Sequence, residues 1–186
     1  MQSDISTLAL RTFRYPQDAD ALAKLDTSFT TERIYRPVYG ALSFQLREEP
    51  VTPPLSKRYP LEVENPAERA VWDYAVIAEE AGETVGFVAA QYTEWNRRVI
   101  LWHLYIAPSR RRKGVGARLL EAAEAYAHSV QARHLWLETQ NTNYPAVQFY
   151  QRAGFAFCGF DSSLYDQSEL EQEETALFFM RPTNSG

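Results

Sequence analysis

The chain has 186 residues, of which 45% are hydrophobic and 23% charged, and a formal net charge of −5. That length suits one domain with an extension and leaves no room for two independent large domains, while the apolar content is enough for a real core. The acidity excludes general nucleic-acid binding, which needs net or strongly clustered positive charge.

The single cysteine, Cys158, can form no internal disulfide, so a reducing, cytoplasmic setting is expected and the residue reads as a small core side chain. The opening MQSDISTLALRTF lacks the basic and apolar regions of a signal peptide. No apolar run approaches membrane-spanning length, so neither secretion nor a membrane partner is expected.

Residues Leu8 to Phe13 alternate as a half-buried strand does, and Asp18 to Leu25 carries helical spacing. From about 28 to 68 the pattern weakens. Ser43 to Glu48 suits a strand, but Pro50, Pro53, Pro54, Pro60 and Pro66 argue against a long regular element and predict a Pro-rich arm or insertion. Trp72 to Ala78 and Val85 to Tyr92 read as a hairpin around Glu79 to Glu83, and Val99 to Ala107 as a third strand. Leu119 to Tyr126 is rich in helix formers with apolar residues three and four apart.

A strand over His134 to Glu138 precedes a helix over Tyr144 to Arg152, with Pro145 in its first turn and Gly154 at its stop. Phe155 to Phe160 and Thr175 to Met180 read as two last strands joined by an acidic linker, in which Glu169, Glu171, Glu173 and Glu174 suit a solvated loop. This alternation predicts an α/β or α+β fold: a mixed central sheet of six to seven strands with helices on both faces, in a single domain over 1–186.

The segment from Arg110 to Gly116 places Arg110, Arg111, Arg112 and Lys113 directly before Gly114-Val115-Gly116 and a helix. Glycines let a backbone approach a ligand closely, and a helix N-terminus offers unpaired N–H groups and positive partial charge, a combination that suits a diphosphate. A solvated basic turn accounts for the same residues. The segment is neither a P-loop, which needs Gly-Lys-Ser/Thr, nor a dinucleotide fingerprint, which needs a third glycine.

Arg111, Gly114 and Gly116 form Arg-x-x-Gly-x-Gly after a strand and before an amphipathic helix. This resembles the acyl-CoA loop of the GNAT superfamily of N-acetyltransferases. A second set, Asn143 to Ala146, Phe149-Tyr150 and Gly154-Phe155, is similar to that family's other signature in order and spacing. Within the superfamily the chain most resembles the streptothricin (nourseothricin) acetyltransferases, through Leu25 to Thr31, Phe44 to Glu48, Pro53 to Lys57, Trp95 to Arg98, Leu137 to Asn141 and Cys158 to Tyr165. It departs from them at Trp102-His103, where those enzymes usually carry a Glu-Asp pair, and Tyr105 stands where the wider superfamily often keeps an acid.

The resemblance implies a sheet splayed in the middle to bind acetyl-CoA, between the strand ending at Ala107 and that over Leu135 to Glu138. Backbone groups of Leu104, Tyr105 and Ile106 would take the pantetheine arm. N–H groups from Arg111, Arg112, Lys113, Gly114, Val115, Gly116 and Ala117 would take the pyrophosphate, with Asn143, Ala146, Phe149 and Tyr150 beside the cofactor. The implied activity is acetyl transfer to a primary amine of a small molecule, with a streptothricin-type antibiotic as first substrate. Other amine metabolites, peptides or protein lysines, and an acyl-CoA-binding module without turnover, are the alternatives.

Tyr150 is the expected proton donor to the departing thiolate, since a phenol with a pKa near 10 is protonated at neutral pH. His103 is the expected proton acceptor, with Glu138 and Glu94 as further candidates. Tyr35, Trp95, Trp102, His103 and Glu138 are expected to line the acceptor site, aromatic faces being good partners for ammonium groups. His128 and His134 have no companions at ligand spacing, so no metal is expected. The expected state is a monomer or homodimer.

Overall fold

The structure, a computed structural model, describes residues 8–59, 61, 71–170 and 173–183. Its elements follow in the order β1 (Ala9–Thr12), α1 (Ala19–Ala23), β2 (Phe29–Tyr39), β3 (Phe44–Lys57), β4 (Tyr74–Glu80), β5 (Glu83–Thr93) and β6 (Arg98–Ile106), then α2 (Val115–Ser129), β7 (His134–Gln140), α3 (Tyr144–Arg152), β8 (Ala156–Asp161) and β9 (Ala176–Pro182). They fall into two compact units, one made of 1–27, 58–135 and 182–186, the other of 28–57 and 136–181. Seven strands belong to the expected central sheet: β1-β4-β5-β6 in that order in the first unit, β7-β9-β8 in the second.

In the first unit β1 pairs with β4, β4 with β5 and β5 with β6, all antiparallel. Ala75 to Ala78 of β4 and Val85 to Ala90 of β5 are buried on both faces, so these strands read as near-continuous apolar runs. Ala81 and Gly82 join them with φ of 53° and 78°, the two positive values of a tight primed turn whose twist matches the strands. On one face Phe13, Leu22, Leu25, Ala75, Ile77, Phe87 and Ala89 form a single buried cluster around α1.

Gly86, one residue from Phe87, turns to the opposite face, where α2 lies. A Cβ there would come within 2.9 Å of Leu119 Cδ1, so glycine is what lets α2 settle on β5. Leu119, Ala123 and Ala127 of α2 are fully buried. Helices thus cover both faces of this part of the sheet, as the alternation of elements predicts.

The second unit corrects the expectation that the prolines of 28–68 rule out a long regular element. Residues 29–57 form a regular antiparallel hairpin in which Tyr39 pairs with Phe44 and Phe29 with Lys57. Its prolines are tolerated because a two-stranded ribbon has two outward edges, where a missing N–H breaks no ladder bond. The register also jumps from Thr31↔Leu55 to Arg33↔Pro50, so Pro53 and Pro54 sit in an irregular stretch that pairs with nothing across the ribbon. Pro60 and Pro66, with the rest of 62–68, lie outside the described residues.

Phe44 of the hairpin stacks on Phe160 of β8 at 3.7 Å between centroids and 6° between planes. Cys158, expected in the core, is exposed, because the β8–β9 register shifts between Phe157 and Gly159 and a bulge changes which face a side chain takes. Glu174, expected in solvent, is 4% exposed. It accepts from Lys57 Nζ and from Thr142 Oγ1, so its charge is neutralised rather than hydrated. Glu171 of the same run lies outside the described residues. Among the described residues no helix is long and apolar enough to cross a membrane.

Candidate active site

β6 ends at Ile106 and runs through a short 3-10 turn, Pro108–Arg110, and a second turn at 111–114 into α2. The four basic residues of this passage do not form one patch. Arg110 pairs with Glu80 of β4. Arg111 folds back so that its Nε donates to Ile106 O at 3.0 Å, and burial lowers its pKa while the charge of Asp26 works in the other direction. Only Arg112 and Lys113 point into solvent.

The backbone carries the feature that suits an anion. Gly114 caps α2 at φ 86°, a conformation glycine adopts without strain, and no side chain closes the helix start. A Cβ added at Gly114 would meet no atom within 4 Å. Space thus lies open beside the start of a 15-residue helix, whose first N–H groups carry partial positive charge that favours a negative group. These residues fit the pyrophosphate of acetyl-CoA, and the fit rests on main chain more than on arginines.

Upstream, β6 is interrupted. Its pairing passes from Ala90↔Leu101 to Ala89↔His103, so Trp102 is the extra residue of a bulge. The Trp102 indole donates to Gln91 Oε1 at 3.2 Å and is 44% exposed. His103 lies on the α1 face between Phe87, 6.1 Å away, and Tyr105, on whose ring it stacks at 5.8 Å. Tyr59 follows Tyr105 at 6.4 Å. Within this aromatic row His103 Nδ1 is shut off from solvent without a hydrogen-bond partner among the described residues. Burial pushes the imidazole down to about 4, since low polarity penalises its charged form.

In the second unit α3 starts as its sequence predicts. Asn143 caps it, its Oδ1 accepting from Ala146 N at 3.3 Å, so these two residues have a structural role at the helix start. Val147 and Tyr150, three apart, are its buried positions. Tyr150 is 8% exposed, with its ring edge-on to Phe149 at 5.4 Å and to Phe155 at 5.6 Å. Glu138 of β7 is half-buried and accepts a hydrogen bond from the Tyr165 hydroxyl. Burial raises its pKa above the usual carboxylate range, the Tyr165 hydrogen bond opposes this, and the charge of Glu174 adds to it.

Tyr35 of β2 stacks on Tyr144 at 5.3 Å, and its hydroxyl accepts from Gln148 Nε2 at 2.7 Å. Burial raises its pKa, so it stays a neutral phenol. Trp95 occupies the turn between β5 and β6 and is 87% exposed. From that turn to His103 is five strand residues, about 17 Å at the usual rise, so the structure does not bring Trp95 to His103. The expected residues thus divide between β6, which carries Trp102, His103 and Tyr105, and the second unit, which carries Tyr35, Glu138, Phe149 and Tyr150 on separate elements.

The model of the acetyltransferase (GNAT) family matches residues 39–155, well over half of the chain. The chain belongs to the GNAT acetyltransferase family. This GNAT protein is 40% identical over 183 residues to the streptothricin acetyltransferase of Streptomyces lavendulae, covering 95% of this chain and 96% of the relative. Its fold superposes on the crystal structure of nourseothricin acetyltransferase with a TM-score of 0.84, at 38% identity over 95% of this chain and 98% of that one. It also superposes on a Bacillus anthracis protein put forward as a streptothricin acetyltransferase, crystallised in complex with acetyl coenzyme A, with a TM-score of 0.79, 26% identity and coverage of 95% and 99%. The protein is an acetyl-CoA-dependent N-acetyltransferase.

Two residues of this GNAT enzyme escape a reading of its motifs. Asn141 is 3% exposed and bonds Tyr35 and Thr175 with both backbone and side chain. Tyr165 reaches Glu138 from 27 positions downstream. Both lie in stretches that carry the resemblance, but nothing in the spacing of Leu137 to Asn141 or Cys158 to Tyr165 announces a partner so far along the chain.

Proposed function

We propose that the enzyme acetylates a primary amine of a streptothricin-type antibiotic, in the cytoplasm, as a single-domain monomer or homodimer that confers resistance. What supports the acceptor is the 40% identity over 95% of the chain to a streptothricin acetyltransferase, a likeness that extends well beyond the cofactor loop. The single cysteine supports a reducing compartment.

Acetyl-CoA, when bound, supplies the activated acetyl thioester. The backbone of 111–117 at the start of α2 would hold its pyrophosphate, and backbone groups of Leu104, Tyr105 and Ile106 would hold the pantetheine arm. Asn143 and Ala146 keep the start of α3 in place, and Phe149 and Tyr150 would serve the thioester. As the acceptor nitrogen bonds the acetyl carbon and the carbon–sulfur bond breaks, the thiolate needs a proton and the amine must lose one. Tyr150 holds the first proton at Oη.

His103 is neutral at working pH, and its Nδ1 is enclosed within the aromatic row, so the imidazole serves the acceptor as an uncharged ring. Trp102, Trp95 and Tyr35 each offer an aromatic face suited to ammonium groups. Glu138 supplies the negative charge. A second assignment of the proton acceptor is supported by the opposite effects of burial, which pushes His103 down to about 4 and raises Glu138. A carboxylate gains as a base when its pKa rises, so Glu138 is the better acceptor of the amine proton and His103 stays neutral.

The uncharged bulge at Trp102-His103 favours one further reading, acetylation of a less highly charged amine. The deciding experiment is thiol release from acetyl-CoA by the purified protein with and without a streptothricin mixture, with the product identified by mass. Streptothricin-dependent release and a product heavier by one acetyl group are expected. Bound acetyl-CoA without streptothricin-dependent release would reject the antibiotic and direct the search to other amines.

A further inference from the structure

Glu138 has two oxygens in unlike situations. Oε1 accepts from the Tyr165 hydroxyl, while Oε2 has no hydrogen bond among the described residues and is not sealed from solvent, being absent from the buried unmatched atoms. The phenol itself has no freedom. Gln140 Nε2 donates to its oxygen at 3.1 Å, so the hydroxyl proton must point to Glu138. Gln140 stands two residues from Glu138 on the same face of β7. A chain of donors, Gln140 to Tyr165 to Glu138, therefore runs one way and ends on one carboxylate oxygen.

We propose that Tyr165 is a positioning residue for acetyl transfer: it fixes one oxygen of Glu138 and leaves the other turned out to meet the ammonium group of the acceptor and take its proton. The role of Glu138 rests on the function proposed above, whereas the Tyr165–Glu138 pair does not. The titratable or charged groups turned toward Glu138 are Tyr165, from the segment after β8, and Glu174, from the segment before β9, whose charge is paired with Lys57 of β3. Tyr165 cannot become the base itself, since burial and the neighbouring carboxylate push its pKa up.

A hydrogen bond to the charged form of a carboxylate lowers its pKa. Removing the hydroxyl removes that effect, so Glu138 must hold its proton to higher pH in Tyr165→Phe, by about one pKa unit or a tenfold change in proton affinity. The titration is read by carbon NMR of protein labelled at the glutamate carboxyls, with Glu138 assigned by the signal lost in Glu138→Gln. An unmoved Glu138 titration in Tyr165→Phe overturns the pair, whatever the acceptor is.

The second readout is kcat/KM against pH with streptothricin. The acid limb of Tyr165→Phe should shift upward by the same interval and lead to a plateau lowered because the carboxylate is no longer held, and Glu138→Gln should lack that limb. A purely structural tyrosine would lower kcat/KM equally at every pH. A Glu138 titration that moves while the acid limb stays in place overturns the catalytic part and leaves the antibiotic reading standing. That reading fails separately, if the wild-type enzyme does not acetylate streptothricin.

Discussion

Tyr35 and Asn141, 106 positions apart, are joined by two hydrogen bonds: Tyr35 N donates to Asn141 O at 2.9 Å and Asn141 Nδ2 donates to Tyr35 O at 2.7 Å. The same asparagine binds Thr175, accepting from its N at Oδ1 (2.8 Å) and donating to its O from the backbone (3.0 Å). Asn141 thus pins the hairpin strand β2 to the chain just before β9, and it does so buried, where an unmatched group is expensive.

Asn141→Ala should therefore destabilise the protein by about 2–4 kcal/mol, since Tyr35 O and Thr175 N each lose a buried partner worth ~1–2 kcal/mol. Asn141→Asp keeps the acceptor but buries a charge and loses the donor at neutral pH. Its protonated form regains a donor, so its deficit should shrink as the pH falls. Thermal unfolding of both variants at pH 7 and pH 5 tests this; equal deficits at the two pH values would show that the Asn141 side chain is not the link.

Tyr150 packs its ring between Phe149 and Phe155, and Tyr150→Phe leaves that ring in place. The variant should fold and bind acetyl-CoA as the wild type does. If the hydroxyl is the proton donor, turnover should fall by about 10²-fold or more, the usual worth of a positioned acid. Single-turnover kinetics with calorimetry of cofactor binding separates the two effects. Equal losses in both would remove Tyr150 from the chemistry.

At Gly114 the obstacle to a side chain is conformation, not crowding by the protein, for a Cβ there meets nothing within 4 Å. Gly114→Ala should lose about 1–2 kcal/mol of stability from the left-handed backbone alone. Gly114→Val adds a branched side chain in the space assigned to the pyrophosphate, so its affinity for acetyl-CoA should drop well beyond what its stability loss explains. Calorimetry of cofactor binding to folded variant is the check, and unchanged affinity would reject the loop assignment.

His103 supplies a pH dependence with a definite sign. Its pKa is about 4 when folded and near 6.5 when unfolded, so between those values the unfolded chain binds more protons. Stability must then fall as the pH drops from 6.5 toward 4, by at most about 1.4 kcal/mol per pH unit from this one group. His103→Gln should remove that contribution from the urea-unfolding profile. A profile with the same slope would mean that the imidazole charges freely in the folded state.

Elements built from neighbouring residues could be read directly. Pro145 in the first turn and the left-handed stop at Gly154 both act within or next to α3, and the apolar runs of β4 and β5 announce a hairpin. The turn into α2 was legible for the same reason, because its left-handed, uncapped start is local backbone at Gly114. Charge counting was less informative there: Arg110 is occupied by Glu80 and Arg111 by its own strand, partners that only folding supplies.

What the one-dimensional pattern could not hold is everything that depends on a partner far along the chain. The prolines of 50–54 weigh against a strand until β2 is placed beside them and the ribbon's open edges and broken register absorb the missing donors. Glu174 looks solvated until Lys57 neutralises it, and Cys158 looks buried until a bulge turns it outward. His103, Glu138 and Tyr165 are ordinary residue types in sequence. Their protonation tendencies arise from burial and from contacts that tertiary packing creates, so the local motifs carry the family while the fold sets the surroundings of these side chains.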